Sequence, residues 1–180
     1  ERLKKKFKRL CVRNIDRSQA EGFQLSEAAS EADLKAFYRL HMAGRSRIGL
    51  PVHPYRFFKR LWQVFSPDRI KILLCRKGSQ TIGGLLVFRC RGRISCDYLA
   101  TASEYHRSSP GSFLYWETLK MGCRDGFKVF DFGQEVAAAH PVPLIDINCF
   151  QVSRNLRSNG NALKRQDRKI AGNLQFPWQH

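Results

Sequence analysis

The sequence predicts one α/β domain in which a mixed sheet is flanked by helices. Three consecutive apolar runs joined by short turns predict an antiparallel meander between residues 70 and 102. A helical pattern and one more short apolar run follow, and a strand that returns after a helix makes the sheet mixed. The chain has 180 residues, of which 43% are hydrophobic, so it is long and apolar enough to form one folded core.

The first predicted element is a basic amphipathic helix over residues 2–20. Lysine and arginine are dense there, while Phe7, Leu10 and Ile15 recur at roughly helical spacing. Gly22 is a usual C-terminal stop for such a helix. Two interpretations stay open: a solvated helix face, or a face that contacts phosphate groups.

A strand and two helices are predicted next. Residues 23–28 alternate as a short strand does, and Ser30 precedes an acidic first turn, as an N-cap does. This helix extends to about Arg45. Pro54 suits the first turn of a second helix, where a missing N–H costs nothing, and Ser66 begins the segment that ends it.

The second half of the core contains the meander, one helix and a last strand. Arg91-Gly92-Arg93 is a hairpin-turn sequence, and Gly126 marks a helix end. The predicted elements are strands over 70–75, 81–90 and 94–102, a loop over 103–110, a helix over 111–125 and a strand over 129–133.

Charge and cysteine content narrow the function classes. The chain has 32 Lys and Arg against 15 Asp and Glu, a formal net charge of +17, so polyanions such as nucleic acid or an anionic membrane face should be attracted to it. The six cysteines include no C-x-x-C pair, and the histidines lack ligand spacing, so no metal is expected. No run of eighteen apolar residues occurs, so no membrane span is expected. We expect a cytoplasmic protein whose positive charge allows peripheral contact at the inner membrane surface.

Several local strings resemble those of the FemAB-related proteins of the GNAT superfamily, and most closely those of the subgroup associated with exosortase and exopolysaccharide systems. The match extends over about residues 1–134. The strings are FYRLH at 37–41, RSRIGLPVHP at 45–54, FF at 57–58, GGLLVF at 83–88, Tyr98, Ser109-Pro110, LYWE at 114–117 and FDFG at 130–133.

This resemblance implies a GNAT-like fold and a transferase. The expected reaction moves an acyl or aminoacyl group to an amine of a cell-envelope precursor or polysaccharide, with aminoacyl-tRNA or acyl-CoA as donor. The expected partners are therefore tRNA and a lipid-linked or polysaccharide substrate at the inner membrane face. Two alternatives stay open: a non-catalytic module that binds RNA or a membrane surface, and a degenerate, inactive relative.

Three residues are candidates for the catalytic step. Asp131, at the end of a predicted strand, would hold or deprotonate the amine, or else serve as a hydrogen-bonded turn acid. Tyr98 would orient the substrate from a strand, or else be a buried tyrosine with a satisfied hydroxyl. Glu117, on the last helix, is a weaker candidate whose structural alternative is a hydrogen bond.

Four residues are candidates for substrate binding. Arg45 and Arg47 lie in a basic stretch that has no acid between Asp33 and Asp68, which suits contact with phosphate or carboxylate. Arg107 and Ser109 precede a helix N-terminus, where anions are favoured. That segment lacks the usual glycine pattern of CoA-binding turns, so no cofactor-binding residue is assigned.

The domain boundaries follow from these elements. We predict a basic helix at 1–22, the GNAT-like core at 23–134 and a divergent, irregular tail at 135–180. After position 133 the Phe-Lys and Trp-Gly segment that usually completes the sheet in this family is missing. Because the chain also begins with Glu1 and not Met, we expect a fragment whose sheet is incomplete at the C-terminus.

Overall fold

The computed structural model of the protein describes Lys4, Phe7 and residues 9–132. The sheet lies between two pairs of helices, which confirms the predicted fold class. The helices are α1 (Arg9–Ala20), α2 (Glu31–Arg47), α3 (Tyr55–Phe65) and α4 (Pro110–Arg124), and the strands are β1 (Gln24–Glu27), β2 (Ile70–Lys77), β3 (Gln80–Cys90), β4 (Arg93–Thr101) and β5 (Val129–Asp131).

The five strands are adjacent in chain order. β1 to β4 pair antiparallel, whereas β5 pairs parallel to β4, so the sheet is mixed as predicted. Arg91 and Gly92 both adopt positive φ, at 45° and 76°, which is the backbone that a tight two-residue hairpin between β3 and β4 requires.

The helix boundaries differ from the predictions in four places. α1 is described from Arg9, since Lys4 and Phe7 before it are not α-helical, and α2 extends to Arg47. Pro54 is the residue before α3 and not part of its first turn. The predicted loop at 103–110 contains a 3-10 helix (Ser103–Ser108), and α4 begins at Pro110, because proline is well suited to the first helical position.

The start of α2 confirms Ser30 as its N-cap. The Ser30 side chain accepts a hydrogen bond from the Asp33 N–H at 3.2 Å, and the Asp33 carboxylate accepts one from the Ser30 N–H at 3.1 Å. This reciprocal pair is a capping box, which satisfies two otherwise unpaired donors of the first turn.

Each face of the sheet has its own apolar layer. Ile15 of α1 packs with Leu114 and Leu119 of α4 against one face, and Phe37 of α2 packs with Phe58 of α3 against the other. Strand alternation divides the sheet residues between the two layers. Among the described residues, no helix combines the length and the hydrophobicity that a membrane span requires.

The predicted domain boundaries at residues 22 and 134 stay predictions. The tail at 135–180, and Gly133 of the predicted last strand, lie outside the described residues.

Candidate active site

β4 and β5 pair over only a short distance. The register joins Arg93 to Val129, Ile94 to Phe130 and Ser95 to Asp131. Within the described residues β5 then ends, while β4 continues to Thr101. Among the described residues no strand pairs with the β5-facing edge of β4 beyond Ser95, and we call this edge the opening between β4 and β5.

A β-bulge lies at the start of this opening. On β3, Leu86 pairs with Tyr98 and Val87 pairs with Cys96, so Asp97 is an extra residue in β4. A bulge bends the strand and redirects the side chains that follow it. Beyond the bulge, Leu99 lines the α4 side of the sheet, whereas Tyr98 contacts the α2–α3 layer.

A cavity of about 320 Å³ occupies the α1–α4 side of this opening. Its walls are largely apolar, and one end is formed by the N-terminus of α4. The residues that line it include Leu10 and Cys11 of α1, Leu99 and Thr101 of β4, Ser109, Gly111, Ser112 and Trp116 at α4, and Phe132 after β5.

The N-terminus of α4 lacks a side-chain cap. Ser109 lies in the left-handed region at φ 57°, and its side chain makes no capping hydrogen bond. A Cβ on Gly111 would lie 3.1 Å from Leu99 Cδ2, so the first turn of α4 lies close against β4. Uncapped N–H groups and the positive end of the helix dipole both favour an anion at this end of the cavity.

Two carboxylates lie at the junction of β4 and β5. Asp97 accepts a hydrogen bond from Ser95 Oγ at 3.1 Å, and Asp131 accepts one from Arg93. Burial raises the pKa of the Asp97 carboxyl; the Ser95 hydrogen bond opposes this effect, and the charge of Asp131 adds to it. Asp97 therefore binds a proton more readily than an exposed aspartate does.

Tyr98 belongs to an aromatic cluster on the opposite side of the sheet. Its ring centroid lies 5.6 Å from that of His41, 5.8 Å from that of His53 and 5.2 Å from that of Phe58. His41 is only 2% exposed, and its Nε2 has no hydrogen-bond partner among the described residues. Burial, together with the charges of Arg45 and His53, lowers the pKa of His41 to about 4.

The predicted site residues separate into two groups. Ser109 lines the cavity, and Arg107 lies in the adjacent 3-10 helix, where its carbonyl accepts a hydrogen bond from Arg17 at 3.1 Å. Arg45 and Arg47 lie in the last turn of α2, in the layer that contains Tyr98. Their binding roles stay predictions.

Glu117 and Asp131 have different surroundings. Glu117 is absent from the cavity lining and forms an ion pair with Lys120 at 2.6 Å, an arrangement that suits its structural alternative. Asp131 ends β5 as predicted and lies beside Arg93 and Ser95. The catalytic roles of both, like that of Tyr98, stay predictions.

Sequence reasoning missed Asp97 and the cavity walls. The bulge at Asp97 depends on the register with β3, which the local sequence does not encode. The only trace in the sequence is a change of phase, because Ile94 and Cys96 share a face with Leu99 and not with Tyr98. Within the described ranges, no group of three potential ligands is placed to hold a metal ion.

Comparison with known families assigns this arrangement to a class. The profile described as "Acetyltransferase (GNAT) domain" matches residues 5–139. The chain therefore belongs to the GNAT acetyltransferase-domain family. A comparison with curated proteins yields no significant match.

Solved structures share this fold at low sequence identity. FemX superposes with a TM-score of 0.67 at 12% identity, over 73% of this chain and 49% of FemX, so the chain spans about half the length of FemX. The ribosomal-protein-S18-alanine N-acetyltransferase of Escherichia coli gives 0.53 at 13% identity, over 65% of this chain and 71% of that protein. An aminoglycoside acetyltransferase from an uncultured soil metagenomic sample, solved with sisomicin, gives 0.50 at 14% identity, over 80% and 86%. A GNAT fold related to that of FemX is thereby established, and the exosortase-associated subgroup stays a prediction.

Proposed function

We propose that the protein is an N-acyltransferase that moves an acyl group from acyl-CoA to an amine. The observation that carries this proposal is the cavity, which joins the uncapped N-terminus of α4 to the opening between β4 and β5. Membership of the GNAT family supports the same reaction class.

The residues around the cavity fit the two chemical parts of such a donor. Gly111 and Ser112 lie at the positive end of α4, where they would hold the pyrophosphate. Leu99, Trp116 and Phe132 provide apolar walls for the uncharged chain that ends in the thioester. When bound, acyl-CoA supplies an acyl carbon that is already activated for attack by an amine.

Asp97 is the proposed proton acceptor: it does not line the cavity itself, but it lies at the bulge two residues before Leu99, which does. Only the neutral amine is nucleophilic, so Asp97 would take the proton that the amine loses as its C–N bond forms. The C–S bond breaks in the same reaction, and the departing sulfur takes up the proton that the amine lost to Asp97, so that coenzyme A leaves as the free thiol. Burial of Asp97 between Ser95 and Asp131 supports this role, because it raises the proton affinity of the carboxylate.

The finer part of the proposal concerns the substrates. The resemblance of the sequence motifs to the FemAB-related proteins supports an amine acceptor on a cell-envelope precursor or polysaccharide, with aminoacyl-tRNA as the alternative donor. The aminoglycoside and S18-alanine acetyltransferases, by their names, both acylate nitrogen-bearing acceptors, which supports an amine in general. Arg107 would then contact donor phosphates beside Ser109.

A charge placed in the cavity tests the donor site. Ser112→Glu adds a carboxylate at the first turn of α4, where an acid stabilises the helix but repels phosphate. We expect CoA to raise the melting temperature of the native chain, and the affinity for CoA to fall about tenfold or more in Ser112→Glu. Ser79→Glu is the matched control, because Ser79 is exposed in the β2–β3 turn and does not line the cavity.

Two results would contradict the donor assignment. If CoA left the melting temperature of the native chain unchanged while aminoacyl-tRNA raised it, the donor would be the aminoacyl-tRNA. If Ser79→Glu weakened CoA binding as much as Ser112→Glu, the binding would come from overall charge and not from the cavity.

A further inference from the structure

Three of the five exposed large hydrophobic side chains among the described residues lie at one end of α2. Met42, Ile48 and Leu50 are 43%, 42% and 40% exposed. Met42 lies on the outer face of the last turns of α2, and Ile48 and Leu50 follow the helix directly. Exposed apolar side chains are common singly, but a local group of them marks an interaction surface.

The same end of α2 carries two exposed arginines. Arg39 lies three residues before Met42, on the same helix face, and Arg47 immediately precedes Ile48. Both arginines are exposed, and neither forms an ion pair with a described residue. We call the surface formed by Arg39, Met42, Arg47, Ile48 and Leu50 the α2 tip.

The backbone holds the α2 tip in a defined shape. The Ile48 and Leu50 N–H groups both donate to the Arg45 carbonyl, at 3.2 and 3.0 Å. Gly49, at φ 69°, makes the tight turn between them. The two apolar side chains are therefore presented on an ordered turn.

The α2 tip leads directly into the aromatic cluster around Tyr98. Three residues after Leu50, the ring of His53 stacks on Phe57 at 4.8 Å and lies 5.8 Å from the ring of Tyr98. A surface that the α2 tip contacts would therefore lie beside this aromatic cluster.

We infer that the α2 tip docks on an anionic lipid bilayer. Ile48 and Leu50 enter the boundary between headgroups and acyl chains, while Arg39 and Arg47 contact lipid phosphates. RNA would satisfy the arginines equally well, but it would leave the apolar side chains without a partner. Membrane docking itself is independent of the proposed reaction; only the further step, delivery of a membrane-held amine to Asp97, rests on that function.

Binding of the full chain to vesicles tests this inference. We would measure cosedimentation with vesicles of phosphatidylcholine and phosphatidylglycerol, and with phosphatidylcholine alone, at about 0.15 M salt. Because a chain of net charge +17 binds anionic surfaces in any case, the apolar variant is the decisive one. Ile48→Ser with Leu50→Ser should weaken partitioning onto the anionic vesicles about tenfold or more.

Matched variants distinguish vesicle binding through the α2 tip from binding through the overall positive charge. Val64→Ser alters another exposed apolar residue, 56% exposed in the last turn of α3, and should change partitioning less than about twofold. Arg39→Gln with Arg47→Gln should reduce partitioning much more than Arg124→Gln with Lys128→Gln, which removes the same charge at and after the end of α4. A melting curve of each variant confirms that it is folded.

The opposite results would overturn the inference. If the Ile48 and Leu50 double variant bound anionic vesicles as the native chain does, the α2 tip would not be a membrane-docking surface. If that variant also kept its affinity for single-stranded RNA while the Arg39 and Arg47 variant lost it, the surface would be assigned to RNA. Ser112→Glu should bind vesicles normally, so failure of the donor site and failure of membrane docking are distinguishable.

Discussion

The two faces of the sheet are built for different tasks. On one face, α1 and α4 leave a cavity of about 320 Å³ that ends at a helix N-terminus. On the other face, rings fill the space, with Phe58 centroids 4.9 Å from His41, 5.2 Å from Tyr98 and 5.6 Å from Phe37. One face therefore has space for a donor, whereas the packing of the other face holds β4 and its bulge in place.

The largest expected effect is the loss of catalytic rate when Asp97, at the bulge of β4, is replaced. Asp97→Asn should lower kcat about 10²- to 10⁴-fold, because the attacking amine loses its proton acceptor. CoA binding in the cavity should stay unchanged, which calorimetry or a melting-temperature shift measures. Because burial raises the pKa of Asp97, the native rate should fall on the acid side at a higher pH than an exposed aspartate would cause.

The neighbouring carboxylate provides the comparison for this prediction. Asp131→Asn keeps Asp97 and its hydrogen bond from Ser95, but it removes the partner of Arg93. If Asp131→Asn abolished the acid side of the pH–rate profile while Asp97→Asn retained it, Asp131 would be the proton acceptor, as the sequence predicted. A loss of CoA binding in Asp97→Asn would show that the two faces are not functionally separate.

The next largest effect is a loss of stability at acid pH, which tests how tightly the aromatic layer around His41 is packed. His41 has a folded-state pKa of about 4 against an ordinary 6.5, because burial disfavours its charged form. Above pH 6.5 the neutral ring carries no penalty, and as pH falls from 6.5 to 4 the unfolded state gains protons first. Stability should therefore drop by about 3 kcal/mol across that window.

Urea unfolding at a series of pH values measures this pH dependence of the free energy of unfolding. His41→Leu should flatten the curve between pH 4 and 6.5, whereas His53→Leu should keep the slope because His41 is still present. Equal slopes in the native chain and in His41→Leu would mean that the aromatic layer admits water around the imidazole. The aromatic face would then not be the tightly filled face that distinguishes it from the cavity face.

Local signals made most of the fold predictable, and long-range register made the site unpredictable. The cap at Ser30 and the hairpin at Arg91-Gly92 depend on residues adjacent in sequence, so their chemistry is readable without a structure. The helix end at Gly22 is equally local. The bulge at Asp97, by contrast, exists only in the pairing of β4 with β3, and the cavity depends on where α1 and α4 meet.

The residues of the candidate site follow the same rule. Ser109 was predictable because it precedes a helix, and anions favour helix N-termini. Trp116 and Phe132 were not, because only the fold brings an interior helix residue and a residue after β5 to one cavity. Asp131 was found from its place at a strand end, but its partner Arg93 required the parallel register of β4 and β5.

The smallest effect compares two adjacent glycines of β3 that face opposite layers. A Cβ on Gly84 would lie 2.6 Å from Phe37 Cδ2, whereas a Cβ on Gly83 would lie 3.2 Å from Leu114 Cδ1. Phe37 is fully buried against Phe58 and His41, so it has no space into which to retreat. Gly84→Ala should lower the free energy of unfolding by about 1–3 kcal/mol. Gly83→Ala should lower it by less than about 1 kcal/mol, because the lower entropy of the unfolded chain offsets its milder contact.

Urea unfolding of both variants, and of Gly84→Ala with Phe37→Leu as a partial rescue, measures the difference. Equal costs, or a larger cost at Gly83, would mean that the α4 layer is packed as tightly as the α2 layer, and the contrast between a face with space for a donor and a filled face would fail.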